Sequence, residues 1–245
     1  MEKKEKKEMT YKEQVEFVTK LFWNLLSIER IHFDMKSKLD RVRKSVSVKS
    51  FNWETKKFVL NTGESFSLAD INTLEITGED AKNFRKKILP NLKDFSSYFK
   101  FAEGKEVLLY LFGEEETLKA TLLKEYPYFF ILERDRDFVI KSKSFISVFA
   151  LKPYPLISGN IEVYEFPNPE WRKTRKELVG YLREIFKKNP KPKVTFALKD
   201  GREITGYIRK RTSLYSYFYL PLFDGKKNLV VAFWHAIDDL WEEEE

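Results

Sequence analysis

The sequence predicts a mainly β protein with α-helices, arranged as three tandem repeats of one helix followed by five short antiparallel strands. Two observations lead to this fold class. Short segments that alternate apolar and polar residues, typical of half-buried strands, recur along the chain. Each group of five such segments follows a segment with a one-sided apolar stripe, which is typical of an amphipathic helix. The chain of 245 residues is long enough for one large domain or for two to three small ones.

The clearest repeat is the last one. Residues 193–208 alternate on both sides of Asp200 and Gly201. An Asp-Gly pair between alternating segments predicts a β-hairpin, and we expect a type I′ turn with positive φ at both residues. The remaining strands of this repeat are expected at 217–222, 229–234 and 237–240.

A helix is expected before this hairpin, over residues 171–188, where the apolar side chains fall on one face. Asn168 and Pro169 are suitable residues for its start, and Pro190 is expected to stop it.

The middle repeat has the same order. Its helix is expected over residues 80–99, with a kink at Pro90 because proline lacks the backbone N–H that the helix needs. A turn is expected at Gly113. The five strands of this repeat are expected at 107–111, 117–123, 128–133, 138–141 and 146–151.

The first repeat has the weakest pattern. Its helix is expected over residues 11–30. Its strands are expected at 31–35, 46–51, 57–60, 65–68 and 71–76. We therefore predict domains at 10–79, 80–152 and 169–245, with a Pro-rich linker at 153–168 that holds one further strand at 161–164.

The last repeat resembles the Sm-like family, and within that family it is most similar to the Hfq type. The spacing of Val194, Gly201, Gly206 and Ile208 is similar to the first Sm motif, in which the second glycine lets the sheet bend sharply. Residues 235–237 read His-Ala-Ile, as in Hfq before its last strand, although the basic residue that precedes this word in Hfq is absent. The resemblance implies tandem small bent five-stranded antiparallel barrels, each preceded by an N-terminal helix.

The other two repeats resemble the family less closely. Lys143 to Ile146 stands where the basic motif would be in the middle repeat, and 68–71 replaces that motif in the first. SH3-like and Tudor-like barrels have similar patterning, so the fold assignment depends on the patterning and on two short motifs.

The resemblance implies single-stranded RNA as a partner, bound through the loop between strands two and three and through the turn before the last strand. From residue 169 onward the chain has 16 basic and 12 acidic residues, so most of the net charge of +7 lies in the last repeat. Cations are expected to contact phosphates, and aromatic rings are expected to stack on bases. The candidate RNA-binding residues are Arg209, Lys210, Arg211, Tyr215, Tyr217, His235, Lys141, Lys143, Tyr126 and Tyr128.

Structural roles compete with these functional ones. Aromatic residues such as Tyr126 and Tyr128 are more often core or interface residues than stacking platforms, and Lys141 and Lys143 fit as lysines that protect an exposed strand edge. His235 lies in an apolar segment and fits a hydrogen-bonded structural histidine. The family also pairs the edge strands of neighbouring domains, which implies self-association through edge strands.

Several classes of function are excluded by composition. With no cysteine and two histidines, the chain lacks the usual zinc ligands, and we expect no metal and no cofactor. It has no Gly-rich phosphate loop and no nucleophile elbow, so we expect no enzymatic activity and assign no catalytic residue. The apolar segments are too short to cross a membrane, and residues 1–8 lack a signal-peptide core, which predicts a cytoplasmic protein. The Lys- and Glu-rich composition is typical of thermophile proteins.

Two functions remain open at this point. The first is an RNA-binding protein with tandem Sm-like domains. The second is a structural module that uses the same barrel for protein assembly without RNA, which the loss of basic motifs favours.

Overall fold

The computed structural model describes residues 9–39, 41–93, 98–152, 174–208, 219–223 and 229–243. These residues form three α-helices and fifteen antiparallel β-strands, which confirms a mainly β protein with few helices. The helices are α1 (Tyr11–Ile28), α2 (Gly78–Asn83) and α3 (Arg175–Lys188). The strands are β1 (His32–Ser37), β2 (Val42–Asn52), β3 (Lys57–Leu60), β4 (Ser65–Ser67), β5 (Ile71–Ile76), β6 (Glu106–Leu111), β7 (Thr117–Glu125), β8 (Phe129–Arg134), β9 (Asp137–Ser142), β10 (Ile146–Leu151), β11 (Lys193–Leu198), β12 (Glu203–Tyr207), β13 (Tyr219–Phe223), β14 (Leu229–Phe233) and β15 (Ile237–Glu242).

Both long helices begin at a capping box. In α1 the Thr10 side chain accepts a hydrogen bond from the Glu13 N–H, and the Glu13 carboxylate accepts one from the Thr10 N–H. Thr174 and Glu177 do the same for α3, so α3 begins at Arg175. The helix expected over residues 171–188 therefore begins four residues later than predicted, because Thr174 has extended backbone angles and caps it. The predicted start signals Asn168 and Pro169 lie outside the described residues.

The continuous helix expected over residues 80–99 is also wrong. After α2, residues Phe84–Ile88 form a wider π-type turn and Leu89–Asn91 form a 3₁₀ turn that contains Pro90. Proline has no N–H to donate, and its ring clashes with the carbonyl four residues earlier, so a regular α-helix cannot continue past this point. Tyr98–Ala102 forms a separate 3₁₀ turn.

The chain divides into two compact units, Met1–Gly104 with Thr121–Lys143 and Lys105–Ala120 with Ser144–Glu245. In the first unit the strand order is β7-β8-β9-β5-β1-β2-β3-β4. α1 packs against this sheet, and its buried face contributes Phe22 and Trp23 to the core. Trp23 stacks on Phe58 of β3 at 4.8 Å between ring centroids, and Phe22 packs against Phe129 of β8 at 4.7 Å.

In the second unit the strand order is β15-β11-β12-β13-β14-β10-β6. Its core is formed by apolar side chains of the sheet together with the buried face of α3, which includes Leu178, Leu182 and Ile185. Among the described residues, the paired strands of neither unit close into a barrel. In the first unit β4 pairs with one strand only, and in the second unit β15 does.

The strands β1–β5 and β11–β15 have the same internal order, with the fifth strand next to the first. A 3₁₀ turn precedes the fifth strand in both sets and also in β6–β10, at Leu68–Asp70, Lys143–Phe145 and Trp234–Ala236. The middle set contributes β8 and β9 to the first unit and β6 and β10 to the second. Strand pairing among the described residues does not form a closed barrel, so the Sm-like interpretation and the domain boundaries stay predictions. The linker at 153–168 and its strand lie outside the described residues.

The hairpin between β11 and β12 forms as predicted, but with a different turn. Gly201 has a φ of +84°, whereas Asp200 does not have a positive φ, so the turn is not type I′. The Gly201 N–H donates to the Leu198 carbonyl, and the Leu198 N–H donates to the Arg202 carbonyl. A three-residue loop with glycine in the left-handed position explains this pattern.

None of the helices in the described part of the chain has the length and apolar character needed to cross a membrane.

Candidate nucleic-acid interface

Half of the predicted RNA-binding residues lie outside the described residues. These are Arg209, Lys210, Arg211, Tyr215 and Tyr217, which follow β12 and precede β13 in the chain. Their RNA-binding role stays a prediction.

Tyr128 lies on the short connection between β7 and β8, and 38% of it is exposed. The Tyr128 carbonyl accepts a hydrogen bond from the Lys143 N–H at 2.9 Å, which holds the connection against the 3₁₀ turn after β9. Partial burial raises the pKa of the Tyr128 hydroxyl, so this residue stays neutral at physiological pH. A neutral aromatic ring on a fixed loop is suitable for stacking on a base.

A second exposed tyrosine of the first unit, Tyr11, interacts electrostatically with Tyr128, and sequence analysis did not identify it. Tyr11, the first residue of α1, is 58% exposed. Burial raises the pKa of the Tyr11 hydroxyl, and electrostatic interactions with Glu125 and with Tyr128 raise it further. The sequence offered only one signal for Tyr11, an aromatic residue in the first turn of the predicted helix.

Tyr128 also borders a small pocket in the first unit. Trp23, Phe129 and Ser142 line it with apolar side chains of β5 and β9. The pocket has a volume of about 270 Å³ that includes open solvent, and its enclosed part has room for about one water molecule. The Trp23 Nε1 atom is buried and has no hydrogen-bond acceptor among the described residues. A nucleobase does not fit inside this pocket, so base contacts would be made on the exposed face of Tyr128.

Tyr126, in contrast, is a core residue. It is fully buried and stacks on Phe129, with ring centroids 5.5 Å apart and planes inclined by 4°. Its hydroxyl donates to the Lys93 carbonyl at 3.4 Å. The position of Tyr126 therefore supports its structural role as a core aromatic residue.

Lys141 is buried in β9, where its Nζ atom donates to Asn72 Oδ1 at 2.5 Å and to Thr73 Oγ1 at 3.2 Å. These partners lie on β5, the strand next to β9. The ammonium group thus satisfies polar side chains across the strand pair. Its position gives no support to a phosphate contact.

Lys143 is also buried, and it forms an ion pair with Glu125. The other carboxylate oxygen of Glu125 accepts from the Phe99 N–H at 3.2 Å. The Nζ atom lies 5.2 Å from the ring centre of Phe130 and 5.9 Å from that of Phe99. Burial lowers the pKa of Lys143, and the attraction of Glu125 opposes that shift. Lys143 is therefore part of the core and not of an exposed cationic surface.

His235 lies on the 3₁₀ turn before β15 and is exposed. Its ring lies 5.7 Å from Phe233 and 6.4 Å from Phe112. Loss of contact with water lowers the pKa of His235 to about 4, the charge of Lys199 lowers it further, and a hydrogen bond with the Ile146 backbone opposes the shift. The imidazole is therefore neutral near pH 7 and suits stacking better than phosphate binding.

A buried network of polar contacts around Arg202, in the described part of the second unit, was not predicted. Arg202 is buried, and its Nη2 atom donates to the Leu111 carbonyl at 2.6 Å, to Ser147 Oγ at 2.9 Å and to Asp200. The Gly113 N–H donates to Asp200 Oδ2 at 3.4 Å. The only sequence signal for this buried network was the position of Arg202 directly after Asp200-Gly201. A charged residue beside a hairpin turn is usually exposed, so this position did not predict burial.

The described residues contain no cluster of three or more acidic or histidine side chains that could hold a metal ion. Searches against protein-family models, curated proteins and solved structures found no significant match to this chain.

Proposed function

We propose that this protein binds single-stranded RNA with tandem Sm-like domains. The proposal combines the sequence resemblance with one structural observation that carries it, the exposed ring of Tyr128 between the second and third strands of the middle set. The resemblance implies base stacking at this position. The pairing of β5 with β9 and of β10 with β14, edge strands of neighbouring sets, is also what Sm-like domains would show.

Lys141, Lys143 and Tyr126 lie in the interior, so we do not assign RNA contacts to them. The base contacts that we propose are at the exposed residues Tyr128 and Tyr11 in the first unit and, separately, at His235 in the second unit. Phosphate contacts are assigned to Arg209, Lys210 and Arg211, which lie in the repeat with the largest charge excess. Bases would stack on tyrosine and phosphates would meet arginine and lysine, as in other sequence-tolerant single-strand binders.

The test is a titration of labelled single-stranded A-rich and U-rich RNA, and of duplex RNA, followed by fluorescence anisotropy at several salt concentrations. We expect the single strands to bind more tightly than the duplex. Replacing Tyr128 with alanine should weaken binding by about 1 to 3 kcal/mol if one base stacks there. Tyr181→Ala is the matched control, because Tyr181 is an exposed tyrosine of α3 that we assign no role.

The phosphate contacts are tested separately. The triple variant Arg209→Ala, Lys210→Ala, Arg211→Ala should bind all single-stranded sequences more weakly. Its log-log salt slope should be flatter by about 0.7 for each phosphate contact that is lost. A second triple variant, Arg183→Ala, Lys187→Ala, Lys188→Ala, removes the same charge from the exposed side of α3 and should leave the slope nearly unchanged. Equal effects of the two triple variants would show that only net charge matters.

The burial of Lys141 and Lys143 favours the alternative function, a structural module that assembles proteins without RNA. If the parent protein shows no binding to any of these RNAs at low salt, the RNA proposal fails and the assembly module is the better interpretation.

A further inference from the structure

The hairpin between β1 and β2 concentrates positive charge at one place in the first unit. Residues 36–44 contain five basic residues and one acidic residue. The rest of the stretch 10–79 contains six basic and nine acidic residues, so the positive excess is local to the hairpin. The basic residues are Lys36, Lys38, Arg41, Arg43 and Lys44, and the acidic residue is Asp40, which lies outside the described residues.

Two carboxylates next to this hairpin are already paired with cations. Lys44 Nζ lies 2.6 Å from Asp34 Oδ2. Arg43 donates to both carboxylate oxygens of Glu64, with Nη2 at 2.6 Å from Oε1. These two pairs neutralise the carboxylates and leave the cations at the tip of the hairpin in excess.

The tip combines cations with exposed aliphatic side chains. Lys38 and Arg41 are exposed, and they stand on either side of Leu39 in the chain. Leu39 is 70% exposed, and Val42 is 49% exposed. The tip therefore presents aliphatic carbon and positive charge to the same solvent region.

Backbone hydrogen bonds hold both sides of the tip. The Ser37 N–H donates to the Arg41 carbonyl at 3.0 Å, which closes the hairpin. The Lys38 N–H donates to the Asp70 carbonyl at 2.7 Å, which attaches the hairpin to the 3₁₀ turn before β5. Contact with a partner therefore requires little further ordering of this backbone, which lowers the entropic cost of binding.

These features match the surface of an anionic lipid bilayer. Aliphatic side chains enter the boundary between headgroups and acyl chains, and lysine and arginine are attracted to anionic headgroups. Single-stranded RNA is instead bound by aromatic rings that stack on its bases, and residues 36–44 include no aromatic residue. The composition of the tip thus favours a membrane surface over nucleic acid.

We propose that the tip of the β1–β2 hairpin binds to the surface of an anionic membrane. Leu39 and Val42 enter the headgroup region, and Lys38 and Arg41 contact the anionic headgroups. The hairpin lies on the membrane and does not cross it. Two aliphatic side chains give weak and reversible binding, as a single acyl chain does.

The test is co-sedimentation of the full chain with lipid vesicles at low salt. Vesicles of phosphatidylcholine and phosphatidylserine in equal parts should bind the protein about tenfold or more tightly than vesicles of phosphatidylcholine alone. This binding should weaken as salt is added, because ions screen the attraction between exposed charges. Equal binding to the two kinds of vesicle, or no binding to the anionic vesicles, would refute the proposal.

Variants separate the charged from the apolar contribution. The double variant Lys38→Gln, Arg41→Gln should bind anionic vesicles about 30-fold more weakly, which corresponds to about fivefold for each cation. Leu39→Asn should weaken the binding about tenfold or more, because an exposed leucine gains that much when it leaves water.

Matched controls come from elsewhere in the first unit. Ile28→Asn removes an aliphatic side chain of α1 that is 71% exposed. The double variant Lys86→Gln, Lys93→Gln removes the same charge from two exposed lysines. Both controls should bind vesicles as the parent does. If a control loses as much binding as its matched variant, the tip is not the membrane contact.

Insertion itself is measured with a fluorophore, since the chain has no cysteine that would compete for the label. Leu39→Cys and Ile28→Cys are each labelled with a dye whose emission shifts to the blue in an apolar environment. Anionic vesicles should shift the emission at residue 39 and leave that at residue 28 unchanged. An unchanged emission at residue 39 in the vesicle-bound protein would overturn the proposal.

Nucleic acid is the alternative partner for this hairpin. If the double variant Lys38→Gln, Arg41→Gln loses affinity for labelled single-stranded RNA and keeps its affinity for anionic vesicles, the hairpin contacts RNA and the membrane proposal is wrong. The vesicle experiments contain no RNA, so their outcome is independent of the proposed function.

Discussion

Arg202 Nε donates a hydrogen bond to Asp200 Oδ1 at 3.2 Å inside the second unit, across the turn that joins β11 to β12. Both side chains are buried, and the guanidinium also binds the Leu111 carbonyl and Ser147 Oγ. The pair links the β11–β12 hairpin to β6 and β10. Because burying a charge without its partner is costly, this contact has a testable effect on stability.

We expect Arg202→Met to lower the free energy of unfolding by about 3 to 5 kcal/mol, since Asp200 would remain buried without a cation. Urea denaturation followed by tryptophan fluorescence measures this loss. The control is Arg85→Met, which removes an exposed pair with Glu133 and should cost no more than about 1 kcal/mol. Equal losses in the two variants would contradict a special role for burial.

The ion pair between Lys143 and Glu125 gives a second prediction. Lys143→Met leaves the Glu125 carboxylate buried and should destabilise the protein by about 3 to 5 kcal/mol. Adding Glu125→Gln should recover much of this loss, because the amide is neutral and its oxygen still accepts from the Phe99 N–H. The affinity of the folded single variant for RNA should match that of the parent. A large loss of affinity in a stably folded Lys143→Met variant would restore the original RNA-binding role of Lys143.

Gly206 permits a close approach of β12 and β13. A Cβ atom at this position would lie 3.1 Å from Leu222 Cβ and 3.1 Å from the Phe223 carbonyl oxygen. Gly206→Ala should therefore destabilise the protein by about 1 to 3 kcal/mol through crowding. Gly180→Ala is the opposite control, because a Cβ there meets no atom within 4 Å and a helical alanine is favoured by about 0.5 to 1 kcal/mol. Thermal unfolding should show a lower Tm for Gly206→Ala and a higher Tm for Gly180→Ala than for the parent. Equal shifts of Tm would refute the crowding argument.

His235 predicts a pH dependence of stability. Its pKa is about 4 in the folded protein and 6.5 in the unfolded chain, so between these values the unfolded chain binds the extra proton. The stabilisation is therefore complete above pH 6.5 and is lost as the pH falls from 6.5 to about 4. Because His235 is exposed to solvent, the loss should be smaller than this pKa difference alone implies.

His235→Gln removes this titration. Urea denaturation between pH 4 and 7 should then show a shallower dependence of stability on pH in the variant than in the parent. Identical slopes would show that His235 is solvated like a free histidine.

Local sequence was sufficient for most of the secondary structure. The predicted bounds of β3, β5 and β10 agree with the structure, and α1 follows its apolar stripe. These elements depend on side-chain alternation, helical periodicity and capping, which neighbouring residues determine. The helix expected over 80–99 failed because its periodic apolar residues extend past Pro90, whose missing N–H ends the regular hydrogen bonding.

The tertiary structure alone decided which polar residues are buried. From the sequence alone, Lys141 and Lys143 are expected to be exposed. They are buried because they bind Asn72, Thr73 and Glu125, which lie 18 to 69 residues away in the chain. Strand β9 is buried along nearly its whole length. The sequence of one strand does not reveal that both of its faces are buried. Alternation of apolar and polar residues indicates one buried face, but the elements that cover the other face come from elsewhere in the chain.

The sequence by itself determined the order of helices and strands, the hairpin at Asp200-Gly201, the basic excess of residues 169–245 and the absence of cysteine chemistry. Only the tertiary structure decided that β5 pairs with β9 and β10 with β14 in one shared register, and that β4 and β15 remain as edges among the described strands. The physical reason is that backbone hydrogen bonds between strands are the same for every residue type. Pairing between distant strands is therefore chosen by packing of the folded sheet and leaves little trace in the local sequence.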